Sequence, residues 1–444
     1  MKHKTFTRGI HPSYNKGFTA DKATQKARLP ERVIIPLSQH IGAPCAALVK
    51  RGEQVVEGQK IGDVESFISA PVHASISGTV KEIAPHPHPG GAKVLSVVIE
   101  SDGTEKAWEP VLEDSEIFDL HPDEIRKQVR EAGLVGLGGA SFPTYVKFMP
   151  PKSGKVDAVI LNGCECEPFL TADHRIMTEA PDKVLKGLKV IMKAIGAPRG
   201  IIGVEDNKPG AIAALKDAAA SIAPDVEIVL LETKYPQGAE KMLIEAILKK
   251  KVPVGKLPLD VGVVVNNVGT AAAVYDALRL GKPVIERIVT VSGSGVNSPG
   301  NFMVRVGTPF FELIGQAGGL ATLPAGEERE VLNGGPMMGI AQRNLMAPVI
   351  KGTSGITVLA GKRVKPREHS ACIKCAACVD VCPMGLMPYK IADMGRLEMV
   401  DDFKSWSGLA CIECGCCSFV CPSRRPLVQW IRVGKIKVRE ASRS

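Results

Sequence analysis

Nine of the chain's twelve cysteines fall between Cys372 and Cys421. Eight of them form two runs, Cys372, Cys375, Cys378 and Cys382, then Cys411, Cys414, Cys417 and Cys421. Pro383 closes the first run and Pro422 the second. Both read C-x2-C-x2-C-x3-C-P, the spacing that holds [4Fe–4S] cubanes in bacterial ferredoxins. A cubane needs four thiolates at the corners of a compact tetrahedron. Three closely spaced cysteines on one loop reach three irons, and the fourth, expected at the start of the following helix, reaches the other cubane. This predicts one cluster on Cys372, Cys375, Cys378 and Cys421, and a second on Cys411, Cys414, Cys417 and Cys382. The chemistry is transfer of single electrons. Structural zinc sites pair two C-x2-C knuckles across a longer spacer, so two complete runs argue against zinc. Cys416 lies off the spacing and reads as a small buried thiol or a neighbour of the ligands. Cysteines clustered in this way point to metal chemistry rather than to disulfides.

A second set of residues suits an anionic cofactor. In the loop at 133–148, Gly136, Gly138 and Gly139 allow backbone N–H groups to approach an anion closely. Ser141 stands where a dinucleotide fingerprint has its last glycine, no strand leads directly into the loop, and the G-K-[ST] ending of a Walker A loop is missing. On its own it is equally a structural turn. Two asparagine motifs add weight, NGCECEP at 162–168 and NNVGT at 266–270. Each follows an expected strand, and in open parallel sheets ligands sit beyond the carboxyl ends of strands. Asparagine donates and accepts, as a flavin ring or ribityl chain requires. The plainer role for each asparagine is helix N-capping.

The elements that must position these residues alternate in character. Short strands separated by Gly and Pro turns are expected across 30–100, at 32–36, 47–50, 83–85 and 94–100. The histidines of this region, His40, His73, His86 and His88, include a His-Pro-His-Pro run that reads as a solvated extended loop. From 122 to 290 the pattern becomes βαβ. Helices are expected at 122–132, 181–195, 210–222, 239–249 and 270–280, and strands at 156–161, 200–204, 226–231 and 261–265. That is a mostly parallel sheet. Short strands return at 286–346, and a basic link leads to the cysteine runs, which are separated by a helical stretch at 387–399.

Apolar residues make up 45% and charged residues 23% of the 444, ordinary for a soluble globular protein. The net charge of +9 suits an acidic protein partner or an anionic membrane surface. The basic residues are scattered, which argues against nucleic acid. No apolar run is long enough to span a bilayer, and the basic start lacks the apolar core of a secretory signal.

Taken together, SQHIGAP, ISAPVHASISGTV, GLGGASFPT, NGCECEP, KYPQGAEK, VVNNVGT and the two cysteine runs resemble the RnfC component of the Rnf electron-transport complex over essentially the whole chain. The middle is also similar to the flavin-binding, NADH-oxidising subunit of respiratory Complex I. The resemblance implies a multi-domain α/β protein. Its parts would be a barrel-sandwich hybrid of the lipoyl/biotinyl type (1–115), a Rossmann-like FMN and NADH domain with a parallel sheet (116–285), a β-grasp domain (286–350), and a helical, ferredoxin-like 2[4Fe–4S] domain (351–444). The first lacks the carrier lysine in its tip at 66–75 and is expected to be a structural or docking module. By the same resemblance, Gly136, Gly138, Gly139, Lys147, Asn162, Glu165, Asn266 and Asn267 would bind FMN, while Phe142, Glu167 and Glu240 would contact NADH. Three departures from the Complex I pattern are Cys164 in place of an Asp, Ser141 in place of a Gly, and no second nicotinamide-stacking aromatic after Phe148.

The function implied is that of a peripheral subunit on the cytoplasmic face of the cell membrane. It would pass electrons between NAD(H), FMN and two [4Fe–4S] clusters in an ion-translocating ferredoxin:NAD+ oxidoreductase. Its partners would be the membrane subunits and the ferredoxin-oxidising iron–sulfur subunit. Two alternatives are a cobalamin reductase of a microcompartment, with the same cofactors, and an iron–sulfur relay without flavin.

Overall fold

In the computed structural model, which describes residues 3–149, 155–361, 364 and 368–442, the βαβ region forms a four-stranded, all-parallel sheet. Its order is Glu227–Leu231, Gly200–Glu205, Ala158–Gly163, Val263–Asn267. Successive side chains of a strand point to opposite faces. Accordingly Val159 and Leu161 join one core with the helices Pro181–Ile195 and Val268–Arg279, while Ala158 and Ile160 join another with the helix Glu240–Leu248. Burial on both faces is why these strands read as nearly unbroken apolar runs, and each fully buried Val, Leu or Ile contributes about 1.5–3 kcal/mol. The helix Pro181–Ile195 starts on a proline and ends at Gly196, at φ 74°. At Gly187 a Cβ would lie 1.9 Å from Ala271 O, so the two helices cross backbone to backbone.

The strand ends differ from expectation in one useful way. The first strand runs Ala158–Gly163 and the fourth Val263–Asn267, so Asn162, Asn266 and Asn267 are the last rungs of the sheet rather than parts of loops beyond it. A helix the periodicity did not announce, Ala172–Glu179, follows the NGCECEP segment.

Ahead of this domain, strands Arg32–Pro36, Lys93–Ser101, Gly78–Pro87 and Gln54–Val55 pair antiparallel. They face a smaller sheet of Ala46–Ala47, Lys60–Asp63 and Val72–His73. Val33, Ile35, Ile61, Val72, Ile76, Val97 and Ile99 fill the space between. The tip that lacks the carrier lysine is packed on one side only, with Phe67 exposed. Ser69 and Ala70 are buried, and Ala70 belongs to the core of the parallel-sheet domain. His86 does not lie in a loop. It pairs with Val94 inside the Gly78–Pro87 strand, and its Nε2 is 2.9 Å from Glu82 Oε1.

A six-stranded mixed sheet follows, ordered Thr24–Lys26, Gly300–Arg305, Glu286–Ser292, Gly355–Gly361, Glu328–Asn333, Ile340–Ala341. Its edge strand comes from the N-terminal segment. Gly355–Gly361 lies in the middle of the sheet, so this unit extends past residue 350, where the sequence pattern placed its end.

The C-terminal unit packs Pro388–Arg396 and Val400–Ser405 on Leu427–Ala441 around Ile391, Phe403, Leu427 and Ile431. The third cysteine of each run sits in a short helix, Ala377–Asp380 or Cys416–Phe419. The fourth, Cys382 or Cys421, follows that helix in the turn leading to the longer one. It is therefore not at a helix start, as the spacing had suggested.

Candidate redox centres

The order of the parallel sheet reverses between Ala158–Gly163 and Val263–Asn267. Crossovers leave to opposite sides there, and the crevice at the carboxyl ends is where α/β sheets bind cofactors. The three asparagines stand at this point. Asn162 donates to Gly238 O (2.8 Å), and its Oδ1 accepts from Cys164 N. Asn267 caps the Val268–Arg279 helix through Gly269 N (2.8 Å) and Thr270 N (3.3 Å), and its Nδ2 donates to Asp173 at 2.7 Å. Capping and site placement thus coexist in this residue. Asn266 is buried, and its Nδ2 has no partner among the described residues.

The glycine loop folds over this crevice, closed by Gly136 N donating to Phe142 O and by Leu137 N donating to Thr270 Oγ1. At Gly138 a Cβ would meet Asn267 Nδ2 at 2.4 Å, whereas Gly139 faces open space. Lys147 reaches under the loop to Val265 O (2.9 Å), with Glu240 Oε1 3.4 Å away. The structure therefore brings Gly138, Lys147, Asn162, Asn266, Asn267 and Glu240 to one crevice. Phe142 is half-buried in the loop.

Two of the acidic residues are engaged elsewhere. Glu165, at φ 46°, caps Ala172–Glu179 by accepting from Asp173 N and His174 N. Glu167 accepts from Met337 N (3.1 Å) and Met338 N (2.7 Å) of the six-stranded unit. Burial pushes its carboxyl up to about 7, against the opposing pull of the two amides and the Lys16 ammonium. Asp173 is pushed up to about 7 by burial and by Glu165 beside it. Sequence reasoning missed Lys16, a buried ammonium that donates to the carbonyls of Glu165 (2.7 Å), Glu167 (3.0 Å) and Leu170 (2.6 Å) and so shapes the whole NGCECEP turn. A lone lysine in a basic leader gives no signal of this.

An FMN fits these residues. Among the described residues, the crevice has a buried amide without a partner at Asn266, open space beside Gly139, and in Lys147 an ammonium with three donors that reaches Val265 O and Glu240 Oε1.

The eight run cysteines separate into two groups. Cys382, Cys411, Cys414 and Cys417 line one pocket with Met384, Leu386, Ile412 and Ile431, and Cys416 borders the same pocket. Cys372, Cys375, Cys378 and Cys421 line another, where Cys375 is exposed, flanked by Lys374, Lys390 and Arg425. Each group holds three cysteines of one run and the fourth of the other. In each run the residues at equivalent places, Lys374 and Ala376, Glu413 and Gly415, have positive φ. That turn aims Lys374 N at Cys372 Sγ (3.4 Å) and Glu413 N at Cys411 Sγ (3.3 Å). Among the described residues no His, Cys, Asp or Glu cluster converges tightly enough for a single metal ion. The four thiols of each group line one pocket, and a cubane takes four thiolates.

The second-run group lies against the parallel-sheet domain. Tyr235 is 1% exposed, and its hydroxyl donates to Cys414 O at 2.7 Å. Cys416 is buried with Tyr235, Cys166 and Ile10 at this seam, its Sγ directed at Tyr235 O.

Known proteins share this arrangement. Residues 4–104 match the RnfC barrel sandwich hybrid domain, 129–276 the Nuo51 FMN-binding domain, 288–341 the SLBB domain and 371–425 the 4Fe-4S dicluster domain. The RnfC protein of the Na(+)-translocating ferredoxin:NAD(+) oxidoreductase complex of Acetobacterium woodii is 48% identical, covering 99% of this chain and 98% of its own. The chain belongs to the RnfC family. The counterpart in the proton-translocating complex of Clostridium ljungdahlii is 46% identical over 99% of this chain and 95% of its own. That of the ion-translocating oxidoreductase complex of Rhodobacter capsulatus is 38% identical over 86% and 73%. Among solved structures, an NAD+-reducing [NiFe]-hydrogenase in its H2-reduced state aligns with a TM-score of 0.50 at 20% identity, covering 74% of this chain and 66% of that one, a likeness of fold. Membership of the family accounts for an FMN-binding domain and a dicluster domain in one chain.

Proposed function

We propose that this chain is the NAD(H)-facing peripheral subunit of a membrane-bound, ion-translocating ferredoxin:NAD+ oxidoreductase, working with the other Rnf subunits on the cytoplasmic face. A flavin supplies the exchange between two-electron hydride chemistry and the one-electron chemistry of the clusters. The residues of this chain do the rest. Gly136, Gly138, Gly139 and Lys147 hold the phosphate and ribityl end, and Asn162, Asn266 and Asn267 fix the ring. Glu165 sets the turn that carries Asn162, and Phe142 and Glu240 flank the nicotinamide approach.

Cys411, Cys414, Cys417 and Cys382 hold the cluster nearer the flavin domain. Cys372, Cys375, Cys378 and Cys421 hold the outer one, where exposed Cys375 and the lysines around it face a redox partner. The parallel sheet supports a Rossmann-like reading and the six-stranded sheet a β-grasp reading. We divide the chain at about 115, 285 and 361. No helix among the described residues is long and apolar enough to cross a membrane, so ion movement belongs to other subunits.

The observation that carries this reading is the seam at Tyr235, which joins the asparagine crevice to one cysteine cavity. The relatives are named as subunits of ferredoxin:NAD(+) oxidoreductase complexes, which favours this reading over a cobalamin reductase, and the match to an FMN-binding domain favours it over a relay without flavin. The test is anaerobic purification with iron and flavin assays. About eight irons accompany about one flavin per chain, and NADH bleaches the flavin. A chain that takes up iron but no flavin on reconstitution contradicts the proposal.

A further inference from the structure

The 334–339 loop of the six-stranded unit is wedged between the two redox sites. On one side its Met337 and Met338 amides donate to the half-buried Glu167 carboxylate. At Gly335 a Cβ would lie 2.3 Å from Glu167 Oε2, so the loop backbone presses directly on that side chain. On the other side Gly415, at φ 84°, sits beneath Met337 O, where a Cβ would come within 2.9 Å. Between them the Met337 side chain packs with Ile10, Cys166, Tyr235, Cys414 and Cys416. One carboxylate thus anchors a loop from a third domain in the gap between the flavin crevice and the second-run cavity.

We propose that Glu167 is a positioning residue whose carboxylate seats the 334–339 loop in this seam, so that Met337 excludes water from the gap that electrons cross between flavin and second-run cluster. This differs from a role in holding NADH, since both carboxylate oxygens already accept amides. It rests on the flavin-and-cluster reading for its purpose, but the clasp is a property of the polypeptide alone. A half-buried carboxylate that accepts two amides, one on each oxygen, has no good substitute. In Glu167→Gln one position becomes an N–H facing an N–H, so one of the two amide bonds is lost.

The test uses the full chain and two variants that attack the clasp from opposite sides, Glu167→Gln and Gly335→Ala. Hydrogen exchange of the 334–341 segment, measured with and without cofactors, reads the clasp directly. Stopped-flow mixing with NADH, following flavin bleaching and cluster reduction separately, reads its consequence. Both variants are expected to lose protection in 334–341. In both, cluster reduction should slow several-fold relative to flavin bleaching, and in Gly335→Ala the NADH concentration for half-maximal bleaching should stay unchanged. The proposal is overturned if Glu167→Gln weakens NADH binding while 334–341 stays protected, or if both variants lose protection with no change in cluster reduction. Absence of flavin from the unmodified chain would refute the function proposed above and leave the exchange result standing.

Discussion

Buried lysines hold the joints of this molecule. Lys351 is 1% exposed and donates to Pro71 O and Gly133 O, both at 2.7 Å, tying the barrel-sandwich tip to the turn that opens the glycine loop. Burial lowers its own pKa to about 8. Its neighbour His73 is pushed down to about 3 by burial and then by the Lys351 and Lys60 ammoniums, against weaker opposing effects of the Glu131 carbonyl and Asp63. A histidine with a depressed folded pKa binds fewer protons folded than unfolded. Its contribution to stability is therefore whole above the unfolded value near 6.5 and declines as pH falls below it, by about 1.4 kcal/mol per pH unit. A His73→Gln variant, which does not titrate, should show a shallower fall in melting temperature between pH 6.5 and 5 than the unmodified chain. Equal slopes would refute this assignment. None of these joints could be read beforehand. A lysine's burial depends on which carbonyls fold around it, and nothing near Lys16 or Lys351 in the chain marks them. The place of the asparagines was legible because each ends an apolar run, and the structure sets them at the strand ends, where Asn267 caps a helix.

At the scale of elements, the repeat in the cysteine runs carries the strongest information. Three cysteines on a left-handed turn and a fourth beyond a short helix make each run incomplete alone, and the structure completes each with the other's last cysteine. Cys421→Ala should therefore alter the same cluster signal in electron paramagnetic resonance as Cys375→Ala, leaving the other intact. A Cys421→Ala spectrum that matches Cys417→Ala instead would refute the exchange. The grouping of the cysteines around the two pockets follows the spacing, three from one run and the last from the other. The strand Gly355–Gly361 was not legible, because a short apolar run ahead of a basic link resembles a linker. Its place is set by parallel pairing with Glu286–Ser292, far away in sequence. The helix Ala172–Glu179 was hidden for a related reason, because its start is capped by Glu165 from outside the helix.

At the scale of the whole molecule, the N-terminal segment binds the parts together. Lys4 bridges to Leu231, Gly9 N donates to Val381 O beside the cysteine runs, Ile10 pairs with Tyr235, and Thr24–Lys26 adds a strand to the six-stranded sheet. The seam around Tyr235 is thus fixed from four directions, by this segment, the flavin domain, the 334–339 loop and the second cysteine run. Such bracing suits electron transfer, which needs fixed separations more than motion. The outer cavity, by contrast, faces solvent amid lysines, and the +9 net charge is consistent with an acidic partner there. Electrons moving from the flavin crevice to the second-run cavity and then to the outer cavity must meet the two clusters in that order. Rapid freezing after anaerobic mixing with NADH, with electron paramagnetic resonance of the chain and of its Cys417→Ala and Cys375→Ala variants, reads this order directly. NADH should still reduce the second-run cluster in Cys375→Ala, whereas in Cys417→Ala the flavin should bleach and the outer cluster lag far behind. An outer cluster reduced as fast in Cys417→Ala as in the unmodified chain would contradict that order.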